Sequence, residues 1–146
     1  MQRHSKALCR ALFHEGFEVS IETHGDAPIE AVTPFARIIM DIKTPSSGMC
    51  REGFRRNLPF LKTNDEIKFV IASPEDYQWT KAMITSGALP HCTILLSPAQ
   101  PAANSPGKFP GIELKWLAEQ IVADKLDARL QIQLHKLIWG SNTRGV

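Results

Sequence analysis

The stretch Arg37-Ile38-Ile39-Met40-Asp41-Ile42-Lys43-Thr44-Pro45-Ser46-Ser47-Gly48 opens as a short apolar run, changes character at Asp41 and Lys43, and ends in turn residues. An apolar run of this length bounded by turn formers predicts a buried strand that carries two charged side chains to its carboxyl end. Ligands of α/β sheets gather where strand ends meet their loops, which makes Asp41 and Lys43 candidate ligand contacts. A buried ion pair closing a strand is the competing reading, and position alone does not separate the two.

The same plan recurs along the chain. Apolar runs at Phe17 to Glu22, Ile67 to Ala72, Thr93 to Leu96 and Leu130 to Leu134 also end in polar, Gly or Pro residues. Helical patterns separate several of them. The alternation predicts one α/β domain over residues 1–146, a parallel-stranded partial (β/α) barrel of about five strands, too few to close. Its strand ends would line one mouth.

Composition narrows the function classes. An apolar content of 43% in 146 residues suffices for a core. Lys and Arg exceed Asp and Glu by only two, and the basic residues are scattered, with Arg51, Arg55 and Arg56 the nearest approach to a cluster. That argues against a nucleic-acid partner. No run approaches the roughly 20 apolar residues of a membrane helix, and Arg3, His4, Lys6 and Arg10 lead into no secretory segment. No membrane association and a cytoplasmic location are therefore expected. Cys9, Cys50 and Cys92 are odd in number and far apart, so they read as free thiols, with Cys9 and Cys92 buried. No zinc spacing is present among Cys and His, and no metal ligands are expected.

In chain order, Gln2 to Glu15 predicts a helix with Ser5 as an early cap and Gly16 as its stop. A helix there ordinarily follows an earlier parallel strand, so the chain reads as beginning in mid-unit. Glu22-Thr23-His24-Gly25-Asp26 closes the first strand, with Gly25 free to turn or to let a ligand approach. Residues 27–36 leave room for a turn of helix at most. Cys50 to Asn64 predicts an irregular flap with a helical turn around Phe54 to Phe60. Glu66 to Ala72 is a strand, and Ser73-Pro74 caps and opens a helix to about Ser86 in which Tyr77, Trp79 and Met83 are packing residues. A strand from Cys92, a surface loop over 97–111 and a helix over 112–123 follow. Alternation of Leu130, Ile132 and Leu134 with Gln131, Gln133 and His135 predicts a last strand from Ala128 to about Ile138, one face polar.

Glu22-Thr23-His24-Gly25, Lys43-Thr44-Pro45-Ser46-Ser47-Gly48-Met49, Lys68-Phe69-Val70-Ile71, Gln133-Leu134-His135-Lys136-Leu137-Ile138-Trp139 and the terminal Arg144-Gly145-Val146, in that order and spacing, resemble the 7-carboxy-7-deazaguanine synthases. These are radical S-adenosylmethionine lyases of queuosine biosynthesis. The resemblance implies a dimeric enzyme using S-adenosylmethionine, a 4Fe-4S cluster and Mg²⁺ to convert 6-carboxy-5,6,7,8-tetrahydropterin into the deazapurine. It also implies that a three-cysteine cluster motif and a Gly-Gly-Glu-Pro strand end precede Met1, so that the chain corresponds to the C-terminal portion of such an enzyme and is inactive alone.

Carried over by position, Asp41, Ile42 and Lys43 match the family's Ser-Pro-Lys strand end on S-adenosylmethionine, only Lys43 being identical, and Ser97 and Pro98 resemble the next cofactor-side strand end. Gln133, His135 and Val146 fall on the substrate side. His24 and Asp26 replace residues that are usually Asn and often Thr. Two alternatives stand beside the enzyme: a non-catalytic binding or interaction domain that keeps the fold, and an unrelated small-molecule binder on a similar scaffold.

Overall fold

A computed structural model describes residues 4–99 and 111–139. Five strands, β1 (Ser20–Thr23), β2 (Arg37–Ile42), β3 (Glu66–Ile71), β4 (Thr93–Pro98) and β5 (Arg129–Leu130), form one sheet in chain order, and every pair is parallel. Helices α1 (Ser5–His14), α2 (Pro74–Thr85), α3 (Leu114–Ala123) and α4 (Leu134–Trp139) accompany it. The β2 to β3 connection holds two 3-10 segments, Pro45–Ser47 and Glu52–Phe60. The architecture is the α/β fold with a parallel five-stranded wall that the sequence predicts.

Strand register sorts the side chains into two unlike faces. Met40 lies beside Ile67, and Ile42 lies beside Phe69, which in turn lies beside Leu96. Because side chains alternate along a strand, these residues with Ile38 and Ile71 share one face. All are at most 1% exposed and pack with Tyr77 and Met83 of α2 and Leu117 and Ile121 of α3. Each such side chain contributes roughly 1.5–3 kcal/mol by leaving water. The opposite face carries Glu22, Ile39, Asp41, Lys43, Glu66, Lys68, Val70, Ser97 and Arg129, and β2 and β3 alternate between fully and partly buried positions. Helices α2 and α3 cover the first face; on the second, the β2 and β3 positions are partly buried whereas Leu95 and Ser97 of β4 are buried.

Helix termini follow their local chemistry. Gly16, at φ 84°, donates to the Phe13 carbonyl while Phe17 donates to the Leu12 carbonyl, a paired closure that needs the left-handed glycine. Since the Phe17 amide is used there, β1 starts at Ser20 instead of at Phe17 as expected. The cap of α1 is His4, without a side-chain bond, and not Ser5. Ser73 does cap α2, its hydroxyl accepting from the Asp76 amide at 3.2 Å, with Pro74 next.

The last strand departs most from expectation. β5 spans only Arg129–Leu130, and residues 134–139 are helical, so Gln133 precedes α4 and His135 lies in it. The physical reason is Pro98. The Gln131 amide donates to the Leu96 carbonyl, and the next donor on that side of β4 would be the amide of residue 98, which proline lacks. The ladder stops there, freeing the chain to coil into α4.

Among the described residues β1 is an edge of the sheet, paired only with β2. Beside it a groove of about 590 Å³ runs between β1 and α1, lined by Leu8, Cys9, Leu12, Val19 and Ile21 among others, and Leu8 and Phe17 are 60% and 61% exposed. Unpaired strand edges with apolar flanks tend to recruit another chain. Sedimentation velocity is expected to show self-association that grows with concentration, and a single monomeric species throughout would contradict this.

Candidate functional site

The polar face gathers its chemistry at the carboxyl ends of the strands. Asp41 and Lys43 lie two apart on β2 and its end, so both project from that face, and Lys43 Nζ donates to Asp41 Oδ2 at 2.8 Å. The side chains are 24% and 39% exposed, so the pair is partly screened and the lysine charge is locally compensated. The second carboxylate oxygen, Asp41 Oδ1, is buried without a hydrogen-bond partner. Ile42 points the other way into the core, 1% exposed, so any ligand contact from it is through its backbone.

Two strands over, Ser97 is fully buried and its Oγ has no partner. Pro98 lies on the core side of β4, the face of Leu96. Gln133 is half-buried ahead of α4, His135 is helical, and Val146 lies outside the described residues. Sequence reasoning placed Gln133 and His135 on an inner strand face that ends before either of them. What it missed is Gln131. That residue stands one step past the Leu96–Leu130 rung, beside Ser97, with its Oε1 buried and unpartnered. Its place in the polar half of the alternating pattern was the available signal.

A smaller pocket of about 230 Å³ opens beside Lys43, lined by His24, Asp26, Met49 and Arg51 as well. Its wall is turn chemistry. Thr23 Oγ1 accepts from the Gly25 amide at 3.2 Å, and Arg51 reaches Asp26 at 3.5 Å. Gly25, at φ 81°, faces Phe54, whose Cβ would lie 2.7 Å from a side chain placed there. The close approach that this glycine permits is therefore to the core.

The loop beyond Lys43 is held by buried groups. Thr44 Oγ1 donates to the Val70 carbonyl at 3.0 Å, and Asp76, fully buried, accepts from the Ser46 amide at 2.9 Å and the Ala72 amide at 3.1 Å. Asp76 thereby clips the Pro45–Ser47 turn to the end of β3. Away from this face, Asp124 accepts from Tyr77 Oη at 2.7 Å and Lys81 Nζ at 2.6 Å. The Lys81 and Tyr77 bonds hold the Asp124 carboxyl below its usual range, while burial and then Asp124 push the Tyr77 phenol upward. This trio ties α2 to the end of α3.

Among the described residues no three His, Cys, Asp or Glu side chains converge as a metal-holding group. Cys9 lies on α1, Cys50 in the loop after β2 and Cys92 just before β4, all free thiols. Cys9 is buried, whereas Cys92 is only half-buried. Burial, followed by the Asp65 carboxylate, pushes the Cys92 thiol up to about 11 from 9.0. A thiol held protonated by the fold stabilises below its unfolded value and ceases to do so as pH rises through the folded one. Unfolding free energy is therefore expected to fall between pH 9 and 11, with a shallower slope in Cys92→Ala. Equal slopes in urea titrations of the two proteins would contradict this.

No protein-family profile matches the chain. Individual relatives do. A 7-carboxy-7-deazaguanine synthase of Chlorobaculum tepidum is 36% identical over 151 aligned residues, covering 100% of this chain and 64% of the relative. That of Koribacter versatilis is 33% identical, covering 92% and 62%, and that of Methanospirillum hungatei 36% identical, covering 90% and 50%. The chain thus spans less than two thirds of the length of each. Along its whole length, the 146-residue chain is a sequence relative of the 7-carboxy-7-deazaguanine synthases.

Proposed function

We propose that the chain supplies the ligand-facing wall of a 7-carboxy-7-deazaguanine synthase, a radical S-adenosylmethionine lyase acting on a tetrahydropterin. The observation that carries this reading is the polar sheet face with Lys43 at its carboxyl end, in a chain alignable from end to end with a synthase of that name. Lys43, Asp41 and Ser97 are the groups proposed to meet S-adenosylmethionine, with Ile42 and Pro98 contributing backbone. Gln133, His135 and Val146 are proposed for the pterin side. In this reading bound S-adenosylmethionine supplies the radical chemistry, and the wall orients the ligands and keeps water from them. Mg²⁺ and a homodimeric, cytoplasmic enzyme complete the proposal.

The cysteines among the described residues do not fit a 4Fe-4S cluster, which takes three or four converging thiolates. No step through the cluster is assigned to them. Anaerobic reconstitution of the chain with iron and sulfide is expected to give no stoichiometric 4Fe-4S spectrum and no S-adenosylmethionine cleavage. Appearance of both would overturn that assignment. The same scattering of thiols favours a second reading, a binding domain without chemistry of its own.

Titration calorimetry with S-adenosylmethionine tests the wall itself. Lys43→Ala is expected to weaken binding roughly ten- to hundredfold, as for loss of one charge-assisted hydrogen bond, with an unchanged melting temperature. Equal affinity of the two proteins would make Lys43 a structural residue paired to Asp41.

A further inference from the structure

Of the stretch from Lys43 to Met49 the proposed site uses only Lys43, yet the residue buried there is Thr44, at 2% exposure. The main-chain ladder between β2 and β3 ends at Ile42 beside Phe69. Thr44 comes two residues later and precedes Pro45, which keeps it extended at φ −77° and ψ 162°. It also stands at the amino cap of the Pro45–Ser47 turn.

A threonine at such a cap ordinarily turns its oxygen onto the amides of the turn. Here other groups take those amides. Asp76 Oδ1 accepts from the Ser46 amide at 2.9 Å, and the Thr44 carbonyl accepts from the Ser47 amide at 3.1 Å. The Thr44 hydroxyl is thereby released to reach β3, where it donates to the Val70 carbonyl at 3.0 Å. A side chain thus carries the pairing of the two strands past the last backbone rung. On the loop side, Ser47 Oγ donates to the Thr44 carbonyl at 2.6 Å, so the residue is fixed from both directions.

We infer that Thr44 is a positioning residue for Lys43. It anchors the peptide at which Lys43 leaves the sheet, and with it the direction in which the ammonium meets a ligand. Among the described residues the Lys43 side chain is hydrogen-bonded only to Asp41, which belongs to the same strand and moves with it. The Val70 bond is what ties this strand end to its neighbour. Thr44 is buried with its hydroxyl committed to Val70, so it acts through the lysine and not on the ligand. The inference rests on the proposed function for the ligand at Lys43.

Calorimetric titration of the full chain with S-adenosylmethionine tests this in Thr44→Val, Thr44→Ser and the double variant Lys43→Ala with Thr44→Val. Valine keeps the branched shape and removes the donor, and is expected to weaken binding roughly two- to tenfold, the span of one neutral hydrogen bond. Serine keeps the donor and should bind like the wild type. Added to Lys43→Ala, the valine should cost no further affinity, because a residue that acts through the lysine has nothing left to aim. A threonine that only supports the fold would weaken both backgrounds alike. That result, unchanged affinity in Thr44→Val, or a Thr44→Ser protein as weak as Thr44→Val would overturn the inference and leave the proposed function standing. Failure of the wild type to bind S-adenosylmethionine would overturn both. Should Thr44→Val not fold, Thr44→Ala, which leaves room for water at the Val70 carbonyl, is judged by the same outcomes.

Discussion

Asn57→Ala is expected to lower the unfolding free energy by about 3–5 kcal/mol, from the loss of several buried hydrogen bonds at about 1–3 kcal/mol for each group left unsatisfied. Asn57 is 1% exposed in the Glu52–Phe60 segment. Its Oδ1 accepts from the Ile29 amide at 3.1 Å, and its Nδ2 donates to the carbonyls of Gly25 at 2.6 Å and Ala27 at 2.9 Å. One side chain thus satisfies three main-chain groups of the β1 to β2 connection, a segment whose own main-chain bonds run only from Val32 and Thr33 to the Ile29 carbonyl and from Phe35 to the Val32 carbonyl. Buried main-chain groups without partners are rarely tolerated, and domains of this size hold only about 5–15 kcal/mol in reserve. Urea unfolding followed by far-ultraviolet circular dichroism measures the loss. Asn64→Ala, at an exposed position whose carbonyl alone is used by Arg37, is the control and should stay within about 0.5 kcal/mol of wild type. A difference below about 1 kcal/mol between the two variants would mean that water or a shifted backbone replaces Asn57 without difficulty.

Asp76→Ala carries the second large effect, and here stability and ligand binding should fall together. The fully buried carboxylate accepts from amides on two separate elements, Ser46 in the turn beyond Lys43 and Ala72 after β3. Charge-assisted bonds of this kind contribute about 1.5–3 kcal/mol each, so the loss of two is expected to cost about 3–6 kcal/mol. The turn it clips is the one that continues from Lys43. S-adenosylmethionine affinity measured on still-folded Asp76→Ala should therefore drop at least as far as in Lys43→Ala. Asp76→Asn keeps only one acceptor for two donors and should fall between. An Asp76→Ala protein that melts like the wild type would refute the clip. One that loses stability but binds normally would separate the turn from the site.

A comparable carboxylate works at the other end of the strands. Asp65, 0% exposed, accepts from the Ile38 amide at 2.8 Å and the Lys62 amide at 2.7 Å, joining the start of β2 to the loop before β3. Lys62 in turn donates to the carbonyls of Thr33 and Ala36. Asp65, Asn57 and Asp76 each tie an irregular connection to a distant segment, and none stands in a recognisable motif. Each is a polar residue in a loop until its long-range partner is known.

That difference marks the limit of what the chain discloses by itself. Strand identity was legible because β-branched and aromatic runs alternate with polar residues at a period of two, and a short-range pattern of that kind needs no partner to be read. The cap of α2 at Ser73-Pro74 and the closure of α1 at Gly16 were legible for the same reason, being settled by backbone geometry within a few residues. The parallel order followed from the alternation of strands with helical patterns, and so did the strand-end positions, though not the roles, of Lys43 and Ser97. The end of β5 was not legible in its own residues. Leu130, Ile132 and Leu134 keep the strand period, but the strand stops because Pro98, on a neighbouring strand more than thirty residues earlier, has no amide to continue the ladder. That rule moved Gln133 and His135 off the sheet and left Gln131 beside Ser97. Periodicity within a segment decides which face a side chain takes, whereas hydrogen-bond partners on another strand decide how far the segment runs, and only tertiary structure supplies them.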